Sequence, residues 1–258
     1  MSTFAYAVSD SRTMVRRVLL HTRRNPSTLL MSITLPLILL LLMNYAFGKS
    51  IDLGPNADGY IDYLIPGVIL MGAGYSCSAT AVAVATDMGE GVIDRFRTLA
   101  ISRSSVLTGH VVGNTIRATA GVVVVVAAGL AMGFRTHGDP LRWLAAAGIV
   151  VLTLVAISWV ATAMGLAAPN TSAAASMASL VSLLPFLSGA FAPVDAMPGW
   201  LKAFSVNEPM TQVIDALRAL LGGTPVGNHV WLSVLWCVGL ALFGYLWAKS
   251  VFGKKTVR

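Results

Sequence analysis

Charge is what this sequence has least of. Asp, Glu, Lys and Arg make up 11% of its 258 residues, less than half the roughly 25% of ordinary soluble domains. Hydrophobic residues make up 56%, a balance that excludes a soluble domain and points to an integral membrane protein. Acids are missing where a coupled carrier needs them. No Asp or Glu lies in the core of any apolar run, which disfavours a proton- or sodium-driven secondary carrier. The two cysteines, Cys77 and Cys237, sit inside apolar runs without metal-ligand spacing and read as free buried thiols. The four histidines (His21, His110, His137 and His229) are scattered too widely for a metal site, and His110 reads as a helix residue near the inner interface. No Ser/His or Cys/His arrangement marks a hydrolase. Gly48 to Ser50 reads GKS, yet the glycine a phosphate loop needs five positions earlier would fall at Met43. We therefore expect a non-catalytic chain with no cofactor, metal or nucleotide site of its own.

What the chain has in abundance is long apolar runs. Six of them approach the roughly 20 residues that a spanning helix requires. They are Leu29 to Phe47, Tyr63 to Ala85, Val106 to Phe134, Trp143 to Ala168, Ala173 to Phe191 and Val230 to Ala248. The expected fold is an all-α integral membrane domain covering residues 1–258. Pro36 and Pro185 fall inside spans, where kinks are tolerated. The third run contains Asn114 and Arg117, which predicts that its first turns project into water. Arg117 is the only charge well inside that run, and an unpaired cation there is costly unless it snorkels. An inner salt bridge from Arg117 to Asp87, Glu90 or Asp94 is the expected remedy. Gly109/Gly113 and Gly129/Gly133 form GxxxG pairs that permit close helix contact. Ser172, Ser176, Ser179 and Ser182 form a small polar stripe on the fifth run, fit either for helix packing or for lining a pathway.

The formal charge of +7 is spread along the flanks of the apolar runs, a pattern of membrane topology that leaves no nucleic-acid surface to expect. With the N-terminus inside, thirteen Lys and Arg fall on the inner side and five on the outer. Both termini are then cytoplasmic in a multi-pass protein of the cell membrane. Residues 1–28 combine Met14, Val15, Val18 and Leu19 with Arg12, Arg16, Arg17, Arg23 and Arg24, as an interfacial helix on lipid phosphates would. The first run is too long for a cleaved signal and reads as a retained first span.

Two hydrophilic interruptions stand out. Residues 86–105 carry Asp87, Glu90, Asp94, Arg95, Arg97 and Arg103, with Ile93, Phe96, Leu99 and Ala100 at helical spacing. This predicts a short amphipathic helix on the inner face. Residues 192–229 hold Pro193, Pro198 and Pro209, then a stretch in which Met210, Val213, Ile214, Leu217, Leu220 and Leu221 share one face. That stretch is too short to span and closes at Gly222-Gly223, which predicts a re-entrant or interfacial hairpin on the outer face. Asp215 and Arg218, three apart, form a favourable helical pair within it.

The basic opening segment, ATDMGEGVIDRFRTLAISRSSVLTGHVVG after the second run and FAPVDAMPGWLKAFSVNEPMTQVIDALRALLGG before the sixth together resemble the permease subunits of ABC-2 type transporters. The similarity covers essentially the whole chain and lies with the daunorubicin-resistance exporter branch. It implies that residues 86–105 are a coupling helix docking on a separate ABC ATPase subunit, which would hold the ATP and magnesium. The matching positions are Glu90, Gly91, Asp94, Arg95, Arg97 and Leu99; the amphipathic reading adds Asp87, Ile93 and Phe96. Ala100 stands where many relatives have Pro, and Glu208 interrupts the usual Asn-Pro between Asn207 and Pro209. The expected function is the permease of an ATP-driven exporter for a hydrophobic or amphipathic substrate. Its expected partners are the ATPase, a second permease copy or paralogue, and membrane lipids. A non-transporting membrane scaffold on the same fold is the alternative, and a secondary carrier comes after it.

Overall fold

The computed structural model describes residues 26–48, 59–90 and 103–255, and among them it contains helices and no strand. The α-helices are α1 (Pro26–Phe47), α2 (Tyr60–Gly89), α3 (Arg103–Ala131), α4 (Pro140–Ala167), α5 (Thr171–Leu187), α6 (Gly199–Asn207), α7 (Pro209–Leu221) and α8 (His229–Lys255). A single 3₁₀ turn, Val194–Ala196, precedes α6. Local chemistry sets the boundaries. Asp139 accepts the Arg142 backbone N–H at 2.9 Å ahead of Pro140, and Asn170 accepts that of Ala173 at 2.8 Å. α3 ends through Gly133, whose φ of +102° lets the Phe134 N–H reach the Gly129 carbonyl. Gly129 itself packs against Ile65 of α2, so this GxxxG pair closes a helix end within the chain.

Among the described residues four helices are long and apolar enough to cross a membrane: α2, α3 from Leu107, α4, and α8 as far as Gly253. The expected first and fifth spans are also helical, as α1 and α5. α1 covers the whole of the expected first span, Leu29 to Phe47, whereas the chain leaves α5 after Leu187, short of the expected Phe191. The expected interfacial helix at residues 1–28 lies almost wholly outside the described residues.

The body is built around α2. Two thirds (67%) of its most apolar window is buried inside the protein, against 17% for α8 at the periphery. α2 packs against α1, α3, α4, α5 and α7, and α8 packs chiefly on α4. Its own sequence explains the position. A Cβ at Gly74 would lie 2.9 Å from the Ser182 Cα, and one at Gly67 would lie 2.8 Å from Ala190, so α5 rides directly on the α2 backbone. Gly165 of α4 meets the Ala81 carbonyl in the same way. Ser182 Oγ completes the α2–α5 contact by donating to the Gly74 carbonyl at 2.8 Å.

The segment before α8 folds as two short helices, and α7 buries every residue of its expected stripe: Met210, Val213, Ile214, Leu217, Leu220 and Leu221. Glu208 Oε1 caps α7 by accepting the Thr211 N–H at 2.8 Å, so this unusual residue serves the role an Asn would. Burial pushes the Glu208 carboxyl above the usual glutamate range, and its Oε2 has no partner among the described residues. α7 packs against α8, α4, α2 and α5, and is thereby part of the helical body.

Gly74→Val should lower the thermal stability of the purified protein by about 1–3 kcal/mol, because the added methyls overpack the α2–α5 contact. Gly239→Ala, where a Cβ meets nothing within 4 Å, should be neutral or stabilising in the same melting experiment.

Candidate functional site

Polar side chains are few in this body, and they gather at three levels. At one end, α2 finishes with Asp87 and α3 begins, on either side of residues 91–102. His110 Nε2 of α3 lies 3.1 Å from Asp87 Oδ2, with the two side chains only 9% and 15% exposed. Beneath this pair a small apolar cluster joins Val84, Leu107, Ala163, Leu166, Ala248 and Phe252, so the ends of α2, α3, α4 and α8 are gathered together. The pair therefore clamps the two helices that carry the intervening segment. His110 was legible only as a helix residue near an interface; its partner lies 23 positions away in sequence and needed the fold to be found.

The middle level is a bridge across three helices. Ser76 Oγ of α2 donates to Asn114 Oδ1 at 2.7 Å, and Asn114 Nδ2 donates to Ser158 Oγ of α4 at 2.8 Å. All three residues are buried. The sequence had marked Asn114 as a sign of water-exposed turns. Instead it is the cross-link of α2, α3 and α4, since an amide offers both a donor and an acceptor across one interface. Arg117 joins this bridge, donating from Nη2 to Asn114 Oδ1 at 2.7 Å. Among the described residues no carboxylate pairs with Arg117. Asp87 is committed to His110, Glu90 is exposed, and Asp94 lies outside the described residues.

The opposite end is held by Arg218 of α7. Its guanidinium donates to the Tyr63 carbonyl from Nε and Nη2 (3.1 and 3.0 Å) and to the Gly189 carbonyl at 2.7 Å. It stacks 3.4 Å above the Tyr63 ring and keeps its expected contact with Asp215 at 3.3 Å. Tyr63 and Tyr60 hydroxyls donate to the Gly189 and Phe191 carbonyls, and Asp62 accepts the Arg135 N–H. One half-buried cation thus satisfies the carbonyls left open where α5 ends, and ties them to the start of α2. A 390 Å³ hollow beside it is lined by Asp62, Tyr63, Phe134 and Arg135.

Of the residues expected to grip an ATPase, Asp87 and Glu90 are described; Gly91, Ile93, Asp94, Arg95, Phe96, Arg97 and Leu99 lie outside the described residues. The serine stripe divides. Ser182 is buried against α2, whereas Ser172, Ser176 and Ser179 stay on an exposed face of α5 beside Leu180 and Leu183. Among the described residues no group of His, Cys, Asp and Glu could hold a metal ion.

A helical body with several membrane-length helices, tied at both ends and bridged through its middle, defines a polytopic membrane protein. Residues 10–221 match the family model described as ABC-2 type transporter. The chain is 31% identical, over 256 residues, to the daunorubicin resistance ABC transporter permease protein DrrB1 of Streptomyces coeruleorubidus, covering 98% of this chain and 87% of that one. It is also 23% identical over 236 residues to "Probable doxorubicin resistance ABC transporter permease protein DrrC" of Mycobacterium tuberculosis, covering 91% of this chain and 85% of that one. The chain belongs to the ABC-2 type transporter family, as a permease, and membership implies an ABC ATPase partner.

Replacing Asn114 by Ala should cost about 1–2 kcal/mol of stability, since Ser76, Ser158 and Arg117 all lose their shared partner. A Ser76→Ala/Asn114→Ala double-mutant cycle in detergent melts should return a coupling of about 0.6 kcal/mol; additive effects would mean the bridge contributes nothing.

Proposed function

We propose that this chain is the membrane half of an ATP-driven exporter that moves a hydrophobic or amphipathic molecule, of the drug, antibiotic or lipid-like kind, out across the cytoplasmic membrane. The observation that carries this reading is the near-full-length similarity to a permease named for daunorubicin resistance. α1 to α5 and α8 act as six spans with both termini in the cytoplasm. A separate ABC ATPase subunit binds and hydrolyses ATP, and a second permease copy or paralogue completes the pathway. Six short-looped spans are few for enclosing a large-substrate route, which is why two permeases are needed.

Residues 86–105 dock on the ATPase. Ile93, Phe96 and Leu99 fill a groove there, while Glu90, Asp94, Arg95 and Arg97 set the register through charged contacts at its rim. Asp87 belongs to the same set by position, but its contact with His110 gives it a different task. It ties the ends of α2 and α3 together, so that a push on the segment moves both helices as one. The bridge at Asn114 then passes that movement to α4. At the outer end, α6 and α7 form the hairpin over the exit, fastened to α2 and α5 by Arg218.

Phe96→Ala should weaken ATPase binding by roughly 2 kcal/mol or more, as loss of a buried aromatic anchor does. Arg95→Glu with Arg97→Glu should abolish efflux while membrane expression stays near wild type. His110→Ala should retain the partner in a pull-down yet lower efflux, separating transmission from docking. Full binding and full efflux in all three variants would leave the segment an ordinary solvated loop.

A further inference from the structure

Arg117 is a cation near the middle of α3 whose fork has more donors than Asn114 can use. The guanidinium carries five N–H groups, and a single hydrogen bond engages it among the described residues. The next titratable groups along the helix, His110 and its partner Asp87, are occupied with each other about 10 Å of helical rise away. Arg117 is half-buried and forms one wall of a hollow between α1, α2 and α3. Pro36, which cannot offer a backbone N–H, also lines it, together with Gly72, Ser76 and Gly121. Small residues keep the space open: a Cβ at Gly72 would come no nearer than 3.7 Å to Pro36, and one at Gly121 no nearer than 3.7 Å to Ile33. The enclosed volume is about 20 Å³, room for a single water-sized oxygen. The rest of the lining is apolar and includes Ile69, Val122 and Val125.

From this arrangement we infer that the α1–α2–α3 hollow is a binding site for an anionic oxygen, phosphate or carboxylate, on the head of an amphiphile. One oxygen enters the hollow and takes the spare guanidinium N–H groups, and the chain of the molecule lies along the apolar lining between α1 and α3. A planar fork fits a two-oxygen anion in a way an ammonium does not. A free inorganic ion is disfavoured by position: the hollow lies at mid-length of three apolar helices, where an anion arrives only with an apolar carrier. The ligand is either a membrane lipid or the acidic end of a transported molecule. Only that second role rests on the exporter reading; binding itself does not.

The test uses the purified full chain in neutral detergent, titrated with dioleoyl phosphatidylglycerol, with oleate, or with the uncharged dioleoylglycerol, and bound molecules counted by native mass spectrometry. Wild type should retain one anionic amphiphile in preference to dioleoylglycerol. Arg117→Gln should weaken that binding about tenfold or more, and Arg117→Lys should restore it only in part. Gly121→Leu, which keeps the charge and fills the hollow, should weaken it as well, and it decides the matter if Arg117→Gln does not fold. Retention of phosphatidylglycerol alone assigns a lipid phosphate; retention of both anions assigns any acidic amphiphile, a transported one included. Equal retention by wild type, Arg117→Gln and Gly121→Leu overturns the site and leaves Arg117 a snorkelling cation. So does recovery of full stability when Arg117→Glu is combined with Asp94→Arg, which makes the partner an acid of this chain. Neither result touches the exporter reading, which is judged by ATPase binding and efflux.

Discussion

Close approach of backbones to α2 is the constraint on which the rest of this structure depends. Apolar helices gain nothing from leaving lipid for one another, because lipid tails are as apolar as leucine. Cohesion must come from packing and from the few polar groups that meet across helices. Gly67 and Gly74 let the α5 segment lie on the α2 backbone, and Ala81 receives Gly165 of α4. Only with those distances closed can Ser182 reach the Gly74 carbonyl and Asn114 reach both Ser76 and Ser158. The polar bridges are therefore consequences of the small residues as much as causes of the fold.

The two ends are fastened by different chemistry, in keeping with different work. At the end bearing Arg218, a guanidinium gathers the carbonyls of Tyr63 and Gly189 and stacks on a tyrosine ring, a many-contact anchor that resists being parted. At the other end an imidazole–carboxylate contact joins α2 to α3.

Much of this was legible in the sequence, and what was not has a physical reason. Periodicity showed the stripe of α7, and Gly222-Gly223 showed its end, because both are local properties of a helix. The i,i+3 contact of Asp215 with Arg218 was legible for the same reason. Arg218's larger role was not, because its acceptors at Tyr63 and Gly189 are 155 and 29 positions away. Asn114 and Arg117 were read as signs of exposed turns, since a polar residue in an apolar run has two outlets, water or another helix. Sequence alone does not choose between them; the serines on α2 and α4 do. Pro66, buried in α2, drew no notice because a proline within a span leaves no periodic trace. α5 fell short of its run because apolar character continues past Leu187, where the backbone stops being helical.

On the exporter reading, this permease moves an amphipathic molecule with energy taken from a partner's ATP hydrolysis. Inside-out vesicles containing the chain with its cognate ABC ATPase, loaded externally with doxorubicin as a fluorescent probe, test that most directly. The account predicts accumulation that requires ATP and both subunits, and that stops when the ATPase binds ATP without hydrolysing it. Accumulation by the permease alone, driven by a proton gradient and indifferent to ATP, would contradict it.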